Sequence, residues 1–300
     1  MLLISHPNAM QHDMGSTHPE HPARWQVVKD AITPLASSER LAPLATRDQL
    51  VTVHDQAYVD QTLAFLSSGQ PFMFDEDSYA TGSYEAVLRA VGGAIQAVDQ
   101  VMAGDTTNAF VCMRPPGHHA ERKRGMGFCR FSNVALAARH ALDAHNLTRV
   151  VILDFDVHHG NGTQNCLWDE PCVRFVSSHE MPLYPGSGYS DEQGAHNQII
   201  NIPLPSGCNS HQFRSCWDSL WPDLEAMNPQ MVLVSAGFDA HAADPLSTTM
   251  LWENDYAWLG THIRQLADKN ANGRLVSVLE GGYDLVALAS SCRAYVEAIL

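Results

Sequence analysis

The chain has 300 residues, 45% of them apolar, enough for a sizeable core and too many for wholesale disorder. Eighteen Lys and Arg against 33 Asp and Glu leave a formal charge of −15, which repels phosphate backbones and speaks against nucleic acid as a partner; it suits a cationic substrate, although such a charge most often serves solubility. No stretch is long and apolar enough to span a membrane, the apolar start Met1-Leu2-Leu3-Ile4-Ser5-His6-Pro7 lacks the marks of a signal peptide, and seven cysteines without a Cys-x-x-Cys pair read as reduced thiols of a cytoplasmic protein.

Helical patterns come first, over residues 23–36, 55–67 and 79–102, the last clearest from 84. A strand-like run at 109–113 precedes a helix at 133–144. Runs at 150–155, 173–177 and 198–202 follow, then a helix at 211–227, a strand at 231–236, a helix at 255–267, a strand at 275–279 and a closing helix at 284–299. Most of the strand runs are apolar on both faces, as buried parallel strands are. Such alternation predicts an α/β domain with a parallel sheet. Without repeats, low-complexity tracts or linkers, residues 1–300 form a single domain.

Four motifs each follow one of these strands. His118 and His119 stand in Arg114-Pro115-Pro116-Gly117-His118-His119-Ala120. Asp154-Phe155-Asp156-Val157-His158-His159-Gly160-Asn161 comes next, followed by Gly237-Phe238-Asp239-Ala240-His241 and Glu280-Gly281-Gly282-Tyr283. Sites in open α/β sheets gather at the carboxyl ends of strands, so the four motifs are expected to meet in one crevice.

Asp154, Asp156 and His158 alternate by two and would face one way if the strand ran that far. Asp156 and His158 are the natural ligand pair for a metal, with Asp239 as the third ligand. One imidazole and two carboxylates leave a position open, as a catalytic zinc site requires. Asp154 and Asn161 read as orienting partners for His118 and His119 respectively. Asn161 has a second reading, as the cap of a helix starting near Gly162. Gly281-Gly282 permits a sharp turn or a close approach to a ligand, which lets the Tyr283 phenol point inward and donate to an oxyanion.

Other features carry less. His6, His12, His54, His145, His196 and His211 have no motif around them and read as surface or loop histidines. His18-Pro19-Glu20-His21-Pro22 reads as a rigid loop entering the 23–36 helix. Glu121-Arg122-Lys123-Arg124 reads as a solvated charge run, and Gly125-Met126-Gly127 lacks the Lys-Ser/Thr of a phosphate loop.

Together these motifs resemble the zinc-dependent histone deacetylase superfamily, most closely its class II-type branch with the bacterial deacetylase-like amidohydrolases. The resemblance runs from His18 to Tyr283 through the 18–24, 114–120, 154–164, 237–241 and 279–283 segments. It implies an arginase/deacetylase-type α/β fold with an eight-stranded parallel sheet flanked by helices. It further implies Zn2+ on Asp156, His158 and Asp239, a general acid/base pair in His118 and His119, and carbonyl polarisation by Tyr283. Gly127 and Phe128 look like one wall of an acyl-lysine tunnel and Tyr184 like the facing wall, where relatives usually carry Phe. Asp77 resembles a rim aspartate that holds the substrate backbone. A structural potassium ion (K+) would use the Asp154 and Ser177 side chains with backbone carbonyls of Asp156, His158 and Ser178. Arg130 and Ser132 depart from the family pattern, and the segment after His179 is short.

The resulting expectation is a zinc-dependent hydrolase of N-acyl-lysine amides. Its partners would be acyl-lysine proteins or peptides, or small acylated amines, with a homo-oligomer left open. The alternative is an acetylpolyamine amidohydrolase, in which a glutamate can follow the Asp244-Pro245 pair; Leu246 stands there instead and offers no charge to a distant ammonium. A ureohydrolase would leave the tandem histidines and Gly-Gly-Tyr unexplained. A non-catalytic acyl-lysine binder would leave the catalytic side chains without a role.

Overall fold

The computed structural model describes residues 1–69, 72–75, 78–80 and 82–300. Its strands are β1 (Leu2–Ser5), β2 (Ser38–Leu41), β3 (Phe72–Asp75), β4 (Ser78–Ala80), β5 (Asn108–Cys112), β6 (Val150–Asp154), β7 (Val173–Met181), β8 (Ile199–Pro205), β9 (Met231–Ala236) and β10 (Leu275–Leu279). Its α-helices are α1 (Ala23–Ile32), α2 (Arg47–Leu50), α3 (Gln56–Ser67), α4 (Ser83–Ala103), α5 (Asn133–His145), α6 (Asn161–Cys166), α7 (Ser210–Asp218), α8 (Trp221–Met227), α9 (Glu253–Asn270) and α10 (Leu285–Ile299).

Among the described residues, eight strands form one sheet in the order β2-β1-β5-β10-β9-β6-β7-β8, and every pairing within it is parallel. β3 and β4 form a separate antiparallel pair. Strands β5, β6, β9 and β10 are buried along their whole length, which explains their unbroken apolar runs. These four are neighbours at the centre of the sheet. After β5 the chain crosses to β6, builds outward to β8, and returns to fill the gap with β9 and β10. The loops that leave their carboxyl ends therefore share one crevice at the switch point. No helix among the described residues is long and apolar enough to cross a membrane.

Several expected elements need correction. The 211–227 helix is two, because Pro222 lies in the first turn of α8, where its missing N–H is harmless, and could not sit inside a continuous helix. The 23–36 helix ends at Ile32, and Pro34 lies in a following 3-10 turn. β1 and β2 were not expected from the residue pattern: β1 has only four residues, and β2 is an edge strand exposed throughout. His12 and His54, expected as surface or loop histidines, lie in loops but are 0% and 2% exposed.

The 18–22 loop is more than an entry to α1. Glu20 is 0% exposed and accepts a hydrogen bond from Arg24 Nη1 at 2.9 Å. The other carboxylate oxygen pairs with Arg114 Nη2, whose Nε also reaches Glu20. Arg114 further donates to the carbonyls of Ala9, His12 and Glu20. Both guanidiniums are fully buried, so removing their shared counter-ion leaves uncompensated charge in the core. Glu20→Ala is expected to cost about 3–5 kcal/mol and Glu20→Gln less, read from urea unfolding midpoints.

Candidate active site

β5 delivers the chain into Arg114-Pro115-Pro116-Gly117, and the turn is clamped by Glu280. One Glu280 oxygen accepts the N–H groups of Gly117 at 2.7 Å and His118 at 3.2 Å, and the other accepts the Ser235 hydroxyl at 3.0 Å. Gly117 is required by space: a Cβ there would lie 2.5 Å from the Asn133 nitrogen. The turn sets the His118 and His119 rings 4.0 Å apart, centroid to centroid.

Each ring has a different partner. His118 Nδ1 lies 3.1 Å from Asp154 Oδ2 and His119 Nδ1 lies 2.8 Å from Asn161 Oδ1. Asn161 donates its amide nitrogen to Glu121 Oε1 at 2.9 Å, which turns its oxygen toward His119. His119 must then carry its proton on Nδ1, leaving the Nε2 lone pair available. With both ends of its amide engaged, Asn161 makes no cap bond to α6, whose N-cap is Gly160. Burial and the neighbouring His118 and His158 push the His119 pKa well below the usual range. Burial opposes charge on His118 as well, but the carboxylates of Asp156, Asp154 and Glu280 outweigh it and hold that pKa well above the usual range.

Beyond β6 the chain leaves strand geometry at Phe155, so strand alternation does not align Asp154, Asp156 and His158. Successive side-chain turns do. Asp154 Oδ1 accepts the Asp156 N–H at 3.2 Å, and Asp156 Oδ1 accepts the His158 N–H at 3.0 Å, as short acidic side chains readily do. His158 Nδ1 then sits 3.2 Å from Asp156 Oδ1 and 3.1 Å from Asp239 Oδ2. The ligand atoms of Asp156, His158 and Asp239 all lie within 4.8 Å of one another. Val157 N–H steadies Asp239 Oδ1 at 2.8 Å and Gly281 N–H steadies Asp156 Oδ2 at 2.8 Å.

This set fits a divalent metal. Asp156 and Asp239 are both 0% exposed, and burial with the adjacent Asp156 charge pushes the Asp239 pKa up. Two dry carboxylates with one imidazole are a donor set in need of a cation. Glycines keep the cradle open: a Cβ at Gly281 would lie 2.1 Å from Asp239 Oδ2, and one at Gly237 would lie 2.2 Å from Asp156 Oδ2.

Tyr283 closes the crevice. Its N–H donates to Asp244 Oδ2 at 2.6 Å, and the Arg24 guanidinium lies 4.8 Å from its ring centroid. Arg24 Nε also donates to the Gly282 carbonyl at 2.6 Å, and Nη2 bonds the Glu280 carbonyl. Gly282 has φ +118°, which only glycine adopts easily. Burial raises the phenol pKa well above 10 against the opposing pull of Arg24, so the group remains a proton donor.

A cleft of about 290 Å³ leads to these groups, lined by His119, Gly127, Phe128, His158, Leu183, Tyr184, Leu246 and Tyr283. Phe128 (φ +64°) follows Gly127 (φ +54°) in left-handed conformation, and a Cβ at Gly127 would lie 2.4 Å from the His119 ring. Tyr184 meets His119 edge-on at 5.2 Å. Its loop is tied down by His159 Nδ1 to Ser187 Oγ at 2.8 Å, His179 Nε2 to the Gly188 carbonyl at 2.9 Å, and Glu192. Ser177 pairs in register with Asp154 across β6 and β7, and its Oγ lies 3.0 Å from His179 Nδ1. Asp77 lies outside the described residues. Leu183, Glu121, Glu280, Asp244 and Arg24 act on the site without having been singled out from sequence. Of these, Arg24 lies within the 18–24 segment, Glu280 opens the Glu280-Gly281-Gly282-Tyr283 motif and Asp244 opens the Asp244-Pro245 pair. Glu121 is half-buried against Asn161, so its charge run is not wholly solvated.

The residues match the histone deacetylase domain family over 18–299, and the chain belongs to the histone deacetylase family of deacetylases and amidohydrolases. It is 36% identical to histone deacetylase 14, chloroplastic, of Arabidopsis thaliana, over 100% of this chain and 76% of that one. A probable deacetylase of Archaeoglobus fulgidus is 35% identical over 94% of this chain and 81% of its own. The histone deacetylase-like amidohydrolase of Pseudomonas aeruginosa is 36% identical over 89% and 72%. The crystal structure of the HDA15 HD domain superposes with a TM-score of 0.92 at 29% identity, covering 99% of this chain and 87% of that one.

His54 holds the cleft wall from behind. Its Nδ1 donates to the Glu121 carbonyl at 3.0 Å, and its Nε2 accepts the Ser132 N–H at 3.0 Å, bracketing the segment that carries Gly127 and Phe128. This pattern requires the neutral ring, and burial lowers its pKa to about 4. Between there and the ordinary value of about 6.5 the unfolded chain binds more protons, so stability rises with pH across that window. The wild type is expected to lose up to about 3 kcal/mol from pH 7 to pH 4.5 through this group. His54→Gln should be less stable at pH 7 and show a correspondingly flatter profile, compared by urea unfolding at the two pH values.

Proposed function

We propose that the protein is a zinc-dependent deacylase that hydrolyses the amide of N-acyl-lysine. The observation that carries this reading is the difference between the two histidines: one imidazole on a carboxylate, one on an amide, side by side over a buried Asp-His-Asp triad. Asp156, His158 and Asp239 would hold the zinc. Bound there, the ion supplies Lewis-acid polarisation of the acyl carbonyl and of the attacking water.

The remaining work belongs to the side chains. The lysine stem fills the cleft between Gly127-Phe128 and Tyr184, with Leu183 and Leu246 keeping the walls apolar. His119 takes the proton of the attacking water at Nε2, while Asn161 holds its Nδ1–H in place. Tyr283 donates its hydroxyl to the carbonyl oxygen as negative charge develops there. His118, charged and backed by Asp154, supplies a proton to the leaving amine. The amide C–N bond breaks to give a carboxylate and a free lysine. Gly282 allows the substrate to approach the turn, Asp77 is assigned to the rim, and a structural potassium ion is assigned to Asp154 and Ser177. The substrates would be acyl-lysine proteins or peptides, or small acylated amines.

The apolar Leu246 favours acyl-lysine over an acetylpolyamine, since it offers no partner to a second ammonium. The test compares zinc-loaded protein on an acetyl-lysine peptide, a longer acyl-lysine peptide and an acetylated polyamine. A peptide should turn over faster, and Asp156→Ala should abolish turnover; faster polyamine hydrolysis would move the function to small amines. Tyr283→Phe is expected to lower kcat by about 10²–10³ with little change in KM, and full activity in that variant would remove its oxyanion role.

A further inference from the structure

We infer a second site for a divalent transition metal on the outside of the fold, built from Asp99 of α4 and His140 and His145 of α5. Among the described residues, one group besides Asp156, His158 and Asp239 brings three ligating atoms of this kind within 4.8 Å of one another, and it is this one. His140 Nε2 lies 2.6 Å and His145 Nε2 2.8 Å from the same Asp99 oxygen. The two rings meet edge-on at 5.5 Å. Two nitrogens and one oxygen, from two packed helices, therefore point at a single spot.

Stability alone gives little reason for this convergence. His140 and His145 side chains are 21% and 24% exposed and Asp99 is 46% exposed, and a hydrogen bond between side chains that water can reach contributes only about 0.5–1.5 kcal/mol net. The neighbouring Asp143 is engaged elsewhere, by Arg139 Nε at 2.7 Å. Two imidazoles and a carboxylate suit zinc, nickel or cobalt, whereas magnesium and calcium prefer oxygen throughout. Ligand atoms around tetrahedral zinc stand about 3.3 Å apart, from metal–ligand bonds of about 2.0–2.1 Å. The present spacing of 2.6 and 2.8 Å opens to that by roughly 0.5–0.7 Å, which partly exposed side chains allow, and solvent completes the fourth position.

The chemistry differs from that of the buried triad. Asp99, His140 and His145 do not line the cleft that leads to the buried triad, so a metal here acts as a clip between helices. α5 is a consequential helix to clip. Its first residue, Asn133, donates to the Pro115 carbonyl at 3.3 Å and packs against Gly117, under the turn that bears His118 and His119.

The test uses protein already carrying one equivalent of zinc, titrated calorimetrically with Zn2+ and separately with Ni2+. The expected result is a further binding event of one ion per chain with a rise in Tm, because a ligand that binds only the folded state stabilises it. His140→Gln and His145→Gln should each weaken that event by about tenfold or more, since each removes a ligand, and should retain turnover of the zinc-loaded enzyme. No further event below about 100 μM metal, where binding would no longer stabilise measurably, or an event of unchanged affinity in either variant, overturns the assignment.

Discussion

Two carboxylates, Asp156 and Asp239, are buried side by side, and the surroundings of the site follow from that. Taking each out of water costs several kcal/mol unless partners replace the lost hydration. The partners here are backbone N–H groups of Val157, His158 and Gly281 together with the His158 imidazole. Arginine is held back: the Arg24 guanidinium is committed to Glu20 and to the carbonyls of Gly282 and Glu280. The negative charge is thereby left for a cation and for the histidines. Glycine at 237 and 281 is a consequence, since any Cβ would occupy the space of a carboxylate oxygen.

Holding such a cluster needs a frame that does not yield. Glu20, Arg24 and Arg114 form a buried ionic core linking the N-terminal segment to the turns after β5 and β10. Glu280 ties those two turns directly together. The 18–24 motif therefore contributes geometry rather than chemistry, fixing the 114–119 and 280–283 turns relative to each other. The same division appears around His119, where Glu121 orients Asn161 and Asn161 orients the ring. Burial lowers the pKa of one imidazole and the surrounding carboxylates raise that of the other, so two identical side chains differ in what they can do.

The main strands and the order of the motifs were legible because buried parallel strands carry unbroken apolar runs and glycine-rich turns follow them. The grouping of Asp154, Asp156 and His158 was legible too, but for a different reason from the one that operates. Alternation along a strand suggested it, whereas hydrogen bonds from each aspartate to the backbone two residues on produce it. The periodicity over 211–227 is that of one helix, but Pro222 starts a second one at its first turn. His12 and His54 carried no local signal at all, because their burial is created by segments far away in the chain: His12 by Glu20 and Ser83, His54 by the 121–132 segment.

By itself the sequence determined which chemical groups are present, their order, and the strand ends from which they emerge, since composition and periodicity are local properties of the chain. Only the tertiary structure decided that β5, β10, β9 and β6 are adjacent, and hence that four separated motifs face one cleft. It also decided which partner each histidine has, which arginine is silent, and which glycine cannot be replaced. Those outcomes depend on distances between segments up to 258 residues apart, as between Arg24 and Gly282, and such distances are set by how layers pack around a core rather than by any neighbouring residue.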